Sequence, residues 1–319
     1  MLAAVALTPP LLGTRAAEAL DMLGAADARW LWAAGAGFAL SVVAAAGSWR
    51  CAIGLCGGRL GLTDAAARYG AGSLVNTFVP GRAGDAVRLG LFSRALDHGD
   101  RIWRASGSFA ALGAARIPIL VALVVAGAAI GALPIWPVFV ALALLTTVAG
   151  IGALARRTKA RSRVAHILDA FRTLGREPLA GLRLVGWIGL ALAGRIVAAA
   201  AIGASLGIGR PFAAALVIVP ALELSGLLPL TPGNLGIAGG TVAIAFQAGG
   251  VSFANGLAAG IAFQAVETAV GIAFGLGSVL WLAPYPSPGV RRVALLAAGA
   301  SASLAVAGAL GATVLVPLV

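Results

Sequence analysis

The chain has 319 residues, of which 60% are hydrophobic and 11% charged, with a mean hydropathy of +0.99, far outside the range of soluble domains. Its formal net charge of +12 would point to nucleic acid in a soluble protein, but basic residues beside apolar spans have anionic lipid as their natural counter-charge. Composition therefore excludes a nucleic-acid partner, and the length accommodates about eight helical crossings of ~20 residues each with no separate soluble catalytic domain.

The first residues, MLAAVALTPPLLG, carry no basic n-region and no small-residue cleavage site before the polar stretch, so a signal peptide is not expected, and 1–29 are read as a short N-terminal segment or partial first span. An apolar run covers 30–49. Cys51 and Cys56 close it, and with His98 and His166 remote in sequence they have no metal-ligand spacing. They are read as packing residues, and neither a metal nor a cofactor is expected. The next segment, 63–96, is interrupted by Pro80-Gly81. Runs at 106–133 and 135–154 complete a first membrane half, 30–154.

Residues 155–183 form a basic linker. Val164, Ile167, Leu168, Phe171 and Leu174 recur at helical spacing opposite Arg161, Arg163, Arg172 and Arg176, the pattern of an amphipathic helix lying on an anionic leaflet or of a loop helix packed on the bundle. The second half, 184–319, holds runs at 184–206, 254–282 and 293–316 and a second interrupted segment, 211–248, broken at Pro229 and at Pro232-Gly233.

Proline removes a backbone donor and glycine permits tight reversals, so each interrupted segment reads as two half-helices joined by non-helical backbone. Such backbone survives in a membrane only when buried in protein or lining a wet cavity. The breaks correspond: Pro80-Gly81-x-x-Gly84 recurs 152 positions later as Pro232-Gly233-x-x-Gly236. Residues 50–104, 156–183 and 291–292 hold 18 of the 23 basic residues and are assigned to the cytoplasmic face of the plasma membrane. Threading the chain through that assignment makes the first hairpin enter from the cytoplasm and the second from outside. The expected fold is an all-α integral membrane bundle of about 6–8 transmembrane helices with two re-entrant broken-helix hairpins in inverted-repeat arrangement, as in many alternating-access transporters.

Four ionisable residues fall well inside apolar segments: Arg116, Arg195, Glu223 and Glu267. A charge in hydrocarbon costs about 2.5–3.5 kcal/mol on the lenient insertion scale. Each should face the interior and a partner, either shaping a polar cavity for a charged headgroup or bridging helices. At the first break, Arg82, Asp85 and Arg88 follow the turn where a half-helix begins. Amide donors there favour anions, Asp85 could cap the first turn, and the two arginines offer forks matched to phosphate oxygens. The second turn carries Thr231 and Asn234 without charge. Asn76 and Gln247 are polar amides that can bridge helices. Gly256-x-x-x-Gly260 and Gly271-x-x-x-Gly275 permit close helix contact, within the chain or in a homodimer. No Walker loop, HExxH, GxSxG elbow or catalytic acid pair is present, so the chain is not expected to be an enzyme.

The stretch VNTFVPGRAGDAVRLGLFSRAL resembles the N-F-x-P-G-R-x-G-D/E-x-x-R signature of the flippase-like membrane region of lysylphosphatidylglycerol synthases and their stand-alone relatives. Asn76, Pro80, Gly81, Arg82, Gly84, Asp85 and Arg88 match it. LLPLTPGNLGIAGGTVAIAF is similar to the same family's L-P-x-x-x-G-G-L-G-x-x-E element through Pro229, Gly233, Leu235 and Gly236, with Asn234 replacing a glycine and Gly239 the glutamate. A Glu-Arg pair of the family is Ala115-Arg116 here. The resemblance extends over about residues 30–282.

The resemblance implies an eight-helix-type bundle with re-entrant elements that moves an anionic or modified phospholipid between leaflets, as a stand-alone module without the aminoacyl-transferase domain. On this reading Arg82, Arg88 and Arg116 attract a headgroup phosphate, while Arg195, Glu223 and Glu267 shape the cavity. Pro80, Gly81, Gly84, Pro229, Pro232, Gly233 and Gly236 serve as hinges, with Asn76, Asp85 and Asn234 lining the site. The alternatives are a scaffold for a separately encoded lipid-modifying enzyme or glycosyltransferase, and an intramembrane transferase acting on polyprenyl phosphate.

Overall fold

A computed structural model describes residues 24–79, 83–96, 100–133, 135–157, 177–225 and 252–283. Among them are eight α-helices and no strand: α1 (Ala28–Leu55), α2 (Leu62–Phe78), α3 (Ala83–Ser93), α4 (Arg101–Ala129), α5 (Trp136–Arg157), α6 (Pro178–Ser205), α7 (Pro211–Ser225) and α8 (Phe253–Leu282). α1, α4, α6 and α8 have 28 to 30 residues each and are apolar enough to cross a membrane. At 1.5 Å per residue each is about 42–45 Å long, more than the ~30 Å hydrocarbon core requires. The chain is a polytopic all-α membrane bundle.

Three of these helices stop at a glycine. Gly57, Gly131 and Gly207 follow α1, α4 and α6 with φ of 88°, 72° and 68°. In each case the glycine N–H and the next one or its neighbour bond back to the last turn: Gly57 to Gly54 and Gly58 to Ile53, Gly131 to Ala128 and Ala132 to Gly127, Gly207 to Ala204 and Ile208 to Gly203. This paired return is the Schellman closure, which needs a left-handed residue and satisfies carbonyls that would otherwise be bare. At the other ends, Asp27 and Ser252 accept from the Arg29 and Asn255 N–H groups as N-caps. Pro178 starts α6 six residues ahead of the apolar run at 184, its fixed φ suiting the first helical position.

α1 and α6 pack most extensively, and they do so through small residues. A side chain at Gly37 would meet the Gly194 carbonyl at 2.8 Å, and one at Gly194 would meet the Gly37 carbonyl at 2.7 Å and the Ser41 N–H at 2.9 Å. The backbones touch there, and without a hydrophobic drive inside lipid such close van der Waals contact is what holds helices together. Around this crossing Phe38, Leu184, Ile188, Leu192, Ile202, Ile218, Val219, Phe263 and Val266 form the main core. A second cluster of Trp49, Ile53, Ala65, Phe92 and Leu96 joins α1 to the α2–α3 unit, with the Trp49 and Phe92 rings stacked at 4.8 Å.

α2 and α3, with 17 and 11 residues, are about 25 and 16 Å long and fall short of a crossing. The chain reverses between them. Arg88 in α3 bonds to the carbonyl of Tyr69 in α2, nineteen residues earlier, a contact impossible along one continuous helix, in which the two would stand roughly 28 Å apart. The first interrupted segment is therefore a helical hairpin. α7 covers the first part of the second interrupted segment. The breaks themselves (Pro80, Gly81, Arg82, Pro229, Pro232, Gly233, Asn234, Gly236), the return limb to 248, Thr231, Gln247, the linker 158–176, the run 293–316 and residues 1–23 lie outside the described residues.

Candidate functional site

The α2–α3 hairpin is closed by one polar cluster. Asn76 sits in the last turn of α2, and its Oδ1 accepts the Gly84 N–H at 2.6 Å while its Nδ2 donates to Asp85 Oδ1 at 3.2 Å. The side chain of one helix thus caps the next. Asp85 is spent sideways, on Asn76 and on Arg88 Nη1 at 2.7 Å, rather than on capping its own helix. Arg88 also donates from Nη2 to Ser73 Oγ at 2.6 Å and from Nε to the Tyr69 carbonyl at 3.3 Å, with its guanidinium 4.1 Å from the Tyr69 ring centroid. Tyr69, Ser73 and Asn76 recur at i, i+4 and i+7, so one face of α2 receives one side chain of α3. The limbs approach backbone to backbone at Gly72 and Gly84: a Cβ on Gly72 would lie 2.7 Å from the Gly84 carbonyl, and one on Gly84 would collide with the Gly72 carbonyl and the Asn76 amide.

The four intramembrane charges meet in a second cluster. Arg116 of α4 donates from Nη2 to Glu223 Oε1 of α7 at 2.6 Å. Glu223 Oε1 in turn lies 3.4 Å from Arg195 Nε of α6, an ion-pair distance without hydrogen-bond alignment. Arg195 reaches Glu267 of α8 with Nη1 at 2.6 Å and Nη2 at 3.4 Å. The result is an alternating ladder, Arg116, Glu223, Arg195, Glu267, that ties four helices and sums to zero charge. Two donors remain unspent: the Nε groups of Arg116 and Arg195 are buried without a hydrogen-bond partner. The ladder is uneven in exposure, with side chains 40% exposed at Arg116 and 31% at Glu267 but 13% at Glu223 and 19% at Arg195.

Tyr69 belongs to the hairpin cluster. Arg88 covers its ring at 4.1 Å, while Arg195 of the ladder lies 5.4 Å from the Phe263 ring centroid. The hairpin is also fastened to α8, where Gly275 packs on the Leu74 Cβ and the Gly70 carbonyl, and where Trp281 Nε1 donates to Asp64 Oδ1 at 3.1 Å. Gly275, read as half of a helix-contact spacing, thus serves an intrachain contact.

Of the residues singled out in the sequence, Asn76, Gly84, Asp85 and Arg88 come together in the hairpin, and Arg116, Arg195, Glu223 and Glu267 in the ladder. The sequence reading missed Tyr69 and Ser73, whose signal was their i, i+4 spacing ahead of Asn76. It also missed Pro118 and Pro220, which lie inside α4 and α7, two residues after Arg116 and three before Glu223. Each removes a backbone hydrogen bond next to the ladder's outer ion pair. Among the described residues no group of three metal-ligating side chains occurs.

A multi-span helical bundle with a broken-helix hairpin and a charge-balanced ladder joining four of its helices defines an integral membrane protein with a polar interior. The family described as lysylphosphatidylglycerol synthase TM region matches residues 1–275, and the chain belongs to that family. No curated protein and no solved structure matches it.

Proposed function

We propose that the protein is a plasma-membrane lipid translocase that moves an anionic or modified phospholipid, or another lipid-linked phosphate, between leaflets without acting as an enzyme. The observation that carries this reading is the ladder. Four charges gathered from four helices are costly to hold in a membrane, and intramembrane ionisable groups that face an interior mark substrate pathways. Arg116, partly exposed and held to Glu223 by a single hydrogen bond, offers a guanidinium fork to phosphate. Arg82 follows the first break and offers a second guanidinium to the headgroup, while Arg88 holds the hairpin through Asp85, Ser73 and Tyr69. The hairpins, dipping from opposite faces in an inverted repeat, would expose the interior to each leaflet in turn.

Family membership supports a link to lipid modification, and the basic segments at 50–104, 156–183 and 291–292 favour a cytoplasmic face against anionic lipid. The test is reconstitution into liposomes carrying fluorescent phosphatidylglycerol, with an impermeant quencher reporting transbilayer movement. Movement faster than in protein-free vesicles, lost in the Arg82→Gln, Arg116→Gln double variant, is the expected result. No movement above the protein-free rate for any anionic headgroup overturns the proposal, and an intact association of that variant with a copurifying lipid-modifying enzyme would point to a scaffold instead.

A further inference from the structure

We infer that Glu223 is an exchangeable counter-ion: a headgroup phosphate takes Arg116 away from it, and Glu223 then moves onto Arg195. The inference rests on the translocase reading and assigns the step that couples binding to a change in helix contacts. Glu223 presents one oxygen, Oε1, to two arginines, bonded to Arg116 Nη2 at 2.6 Å and unaligned with Arg195 Nε at 3.4 Å. The second place is vacant, because Arg195 Nε is buried with no hydrogen-bond partner. A shift of well under about 1 Å would bring that contact to the length of a charge-assisted hydrogen bond.

Exposure gives the exchange a direction. Arg116 is the more accessible member of its pair, 40% against 13% for Glu223, so an incoming anion meets the arginine first. Its contact with Glu223 is a single hydrogen bond, whereas a phosphate offers several oxygens to a guanidinium fork. Pro118 and Pro220 flank the pair within α4 and α7, and the missing backbone bonds let these two helix segments yield.

Charge bookkeeping explains release. With a phosphate monoanion on Arg116, Arg195 faces both Glu223 and Glu267, and the filled network carries one excess negative charge. Such a site holds its ligand loosely, and Glu223 returns to Arg116 as the lipid leaves. A transport site needs binding of that kind, strong enough to enter and weak enough to leave.

The experiment measures binding of fluorescent phosphatidylglycerol to the full chain in nonionic detergent, by energy transfer from its tryptophans. Glu223→Gln removes the competitor and is expected to tighten binding about tenfold, a typical size for coupling between sites, while slowing lipid movement in liposomes. Arg116→Gln should weaken binding by a similar factor, and Glu223→Gln added to it should then change nothing. Unchanged or weaker binding by a monodisperse, helical Glu223→Gln protein overturns the inference, as does tightening that persists in the Arg116→Gln background. Should Glu223→Gln fail to fold, Glu223→Asp, one methylene too short to hold Arg116, must still tighten binding. Inorganic phosphate at millimolar concentration is the second arm: displacement of the lipid probe by it would move the site to a free anion and overturn the lipid assignment. A wild-type protein that moves no lipid breaks the translocase reading, whereas a moving protein with an unaltered Glu223→Gln affinity breaks only the exchange.

Discussion

The hairpin cluster and the four-helix ladder use the same chemistry, arginine against carboxylate, and differ in reach and in completeness. In the hairpin, Asn76, Asp85 and Arg88 meet partners 3 to 19 residues away, and Arg88 commits Nε, Nη1 and Nη2 to three separate acceptors. In the ladder the partners are 28, 72 and 107 residues apart, and two buried Nε donors go unused. A local, satisfied cluster fixes the shape of one motif. A long-range cluster with donors to spare joins separate helices while leaving them more than one way to pair, which is the property a moving site requires.

The comparison is broken most sharply at Arg195, the ladder's central cation. Replacing it by Gln leaves Glu267 without the arginine it bonds and Glu223 with Arg116 alone. Stranding a fully buried partner costs about 3–5 kcal/mol; with Glu267 31% exposed, thermal unfolding in detergent should show a loss toward the lower end of that range. Pairing the change with Glu267→Gln should recover most of it, because the uncompensated carboxylate is then gone. A loss under about 1 kcal/mol for the single variant would place the ladder with solvated surface ion pairs and remove its distinction from an exposed network.

A smaller effect is expected where the hairpin limbs touch. Gly84→Ala puts a methyl group into the Gly72 carbonyl and the Asn76 amide, an overpacking of about 1–3 kcal/mol. It also wedges α3 away from α2, so Arg88 loses its contacts with Ser73 and Tyr69. Gly90→Ala, on the same helix with nothing within 4 Å of the new Cβ, should be neutral or slightly stabilising by helix propensity. Equal behaviour of the two variants in a thermal unfolding series would mean that the limbs do not pack at Gly84.

Much of this was legible along the chain. Runs of apolar residues near 30–49, 106–133, 184–206 and 254–282 correspond to α1, α4, α6 and α8, because a span announces itself by length and hydropathy alone. Pro80-Gly81 foretold that α2 and α3 would be separate helices, and the cost of charge in lipid required Arg116, Arg195, Glu223 and Glu267 to find one another. The pairing order was not legible: that Glu223 lies between the two arginines depends on how α7 packs against α4 and α6, and no local pattern encodes it. Nor could the sequence show that Gly72 faces Gly84 across the turn, or that Tyr69 lies beneath Arg88. The extra turn at the start of α6 escaped the hydropathy reading because Arg183 interrupts the apolar run, although Pro178 was a valid start signal.

Asn76 sharpens the comparison at its small end, because it holds two bonds of opposite sense. Its Oδ1 caps the Gly84 N–H and its Nδ2 donates to Asp85. Asn76→Ala forfeits both, and the loss of a cap is worth about 1 kcal/mol. Asn76→Asp keeps an acceptor for Gly84 but sets a second carboxylate against Asp85, with Arg88 as the shared counter-ion. If the cap dominates, Asp is better tolerated than Ala, since Asn and Asp cap about equally well. The hairpin geometry predicts the reverse ranking, because Asn76 Nδ2 is only 3.2 Å from Asp85 Oδ1 and a carboxylate there meets like charge. Hydrogen exchange at the Gly84 amide separates the two roles: faster exchange in Ala, little change in Asp, and yet a lower unfolding temperature for Asp. The opposite ranking, Asp above Ala in stability, would show that the hairpin is held by the backbone cap and that its charge cluster contributes little to closing it.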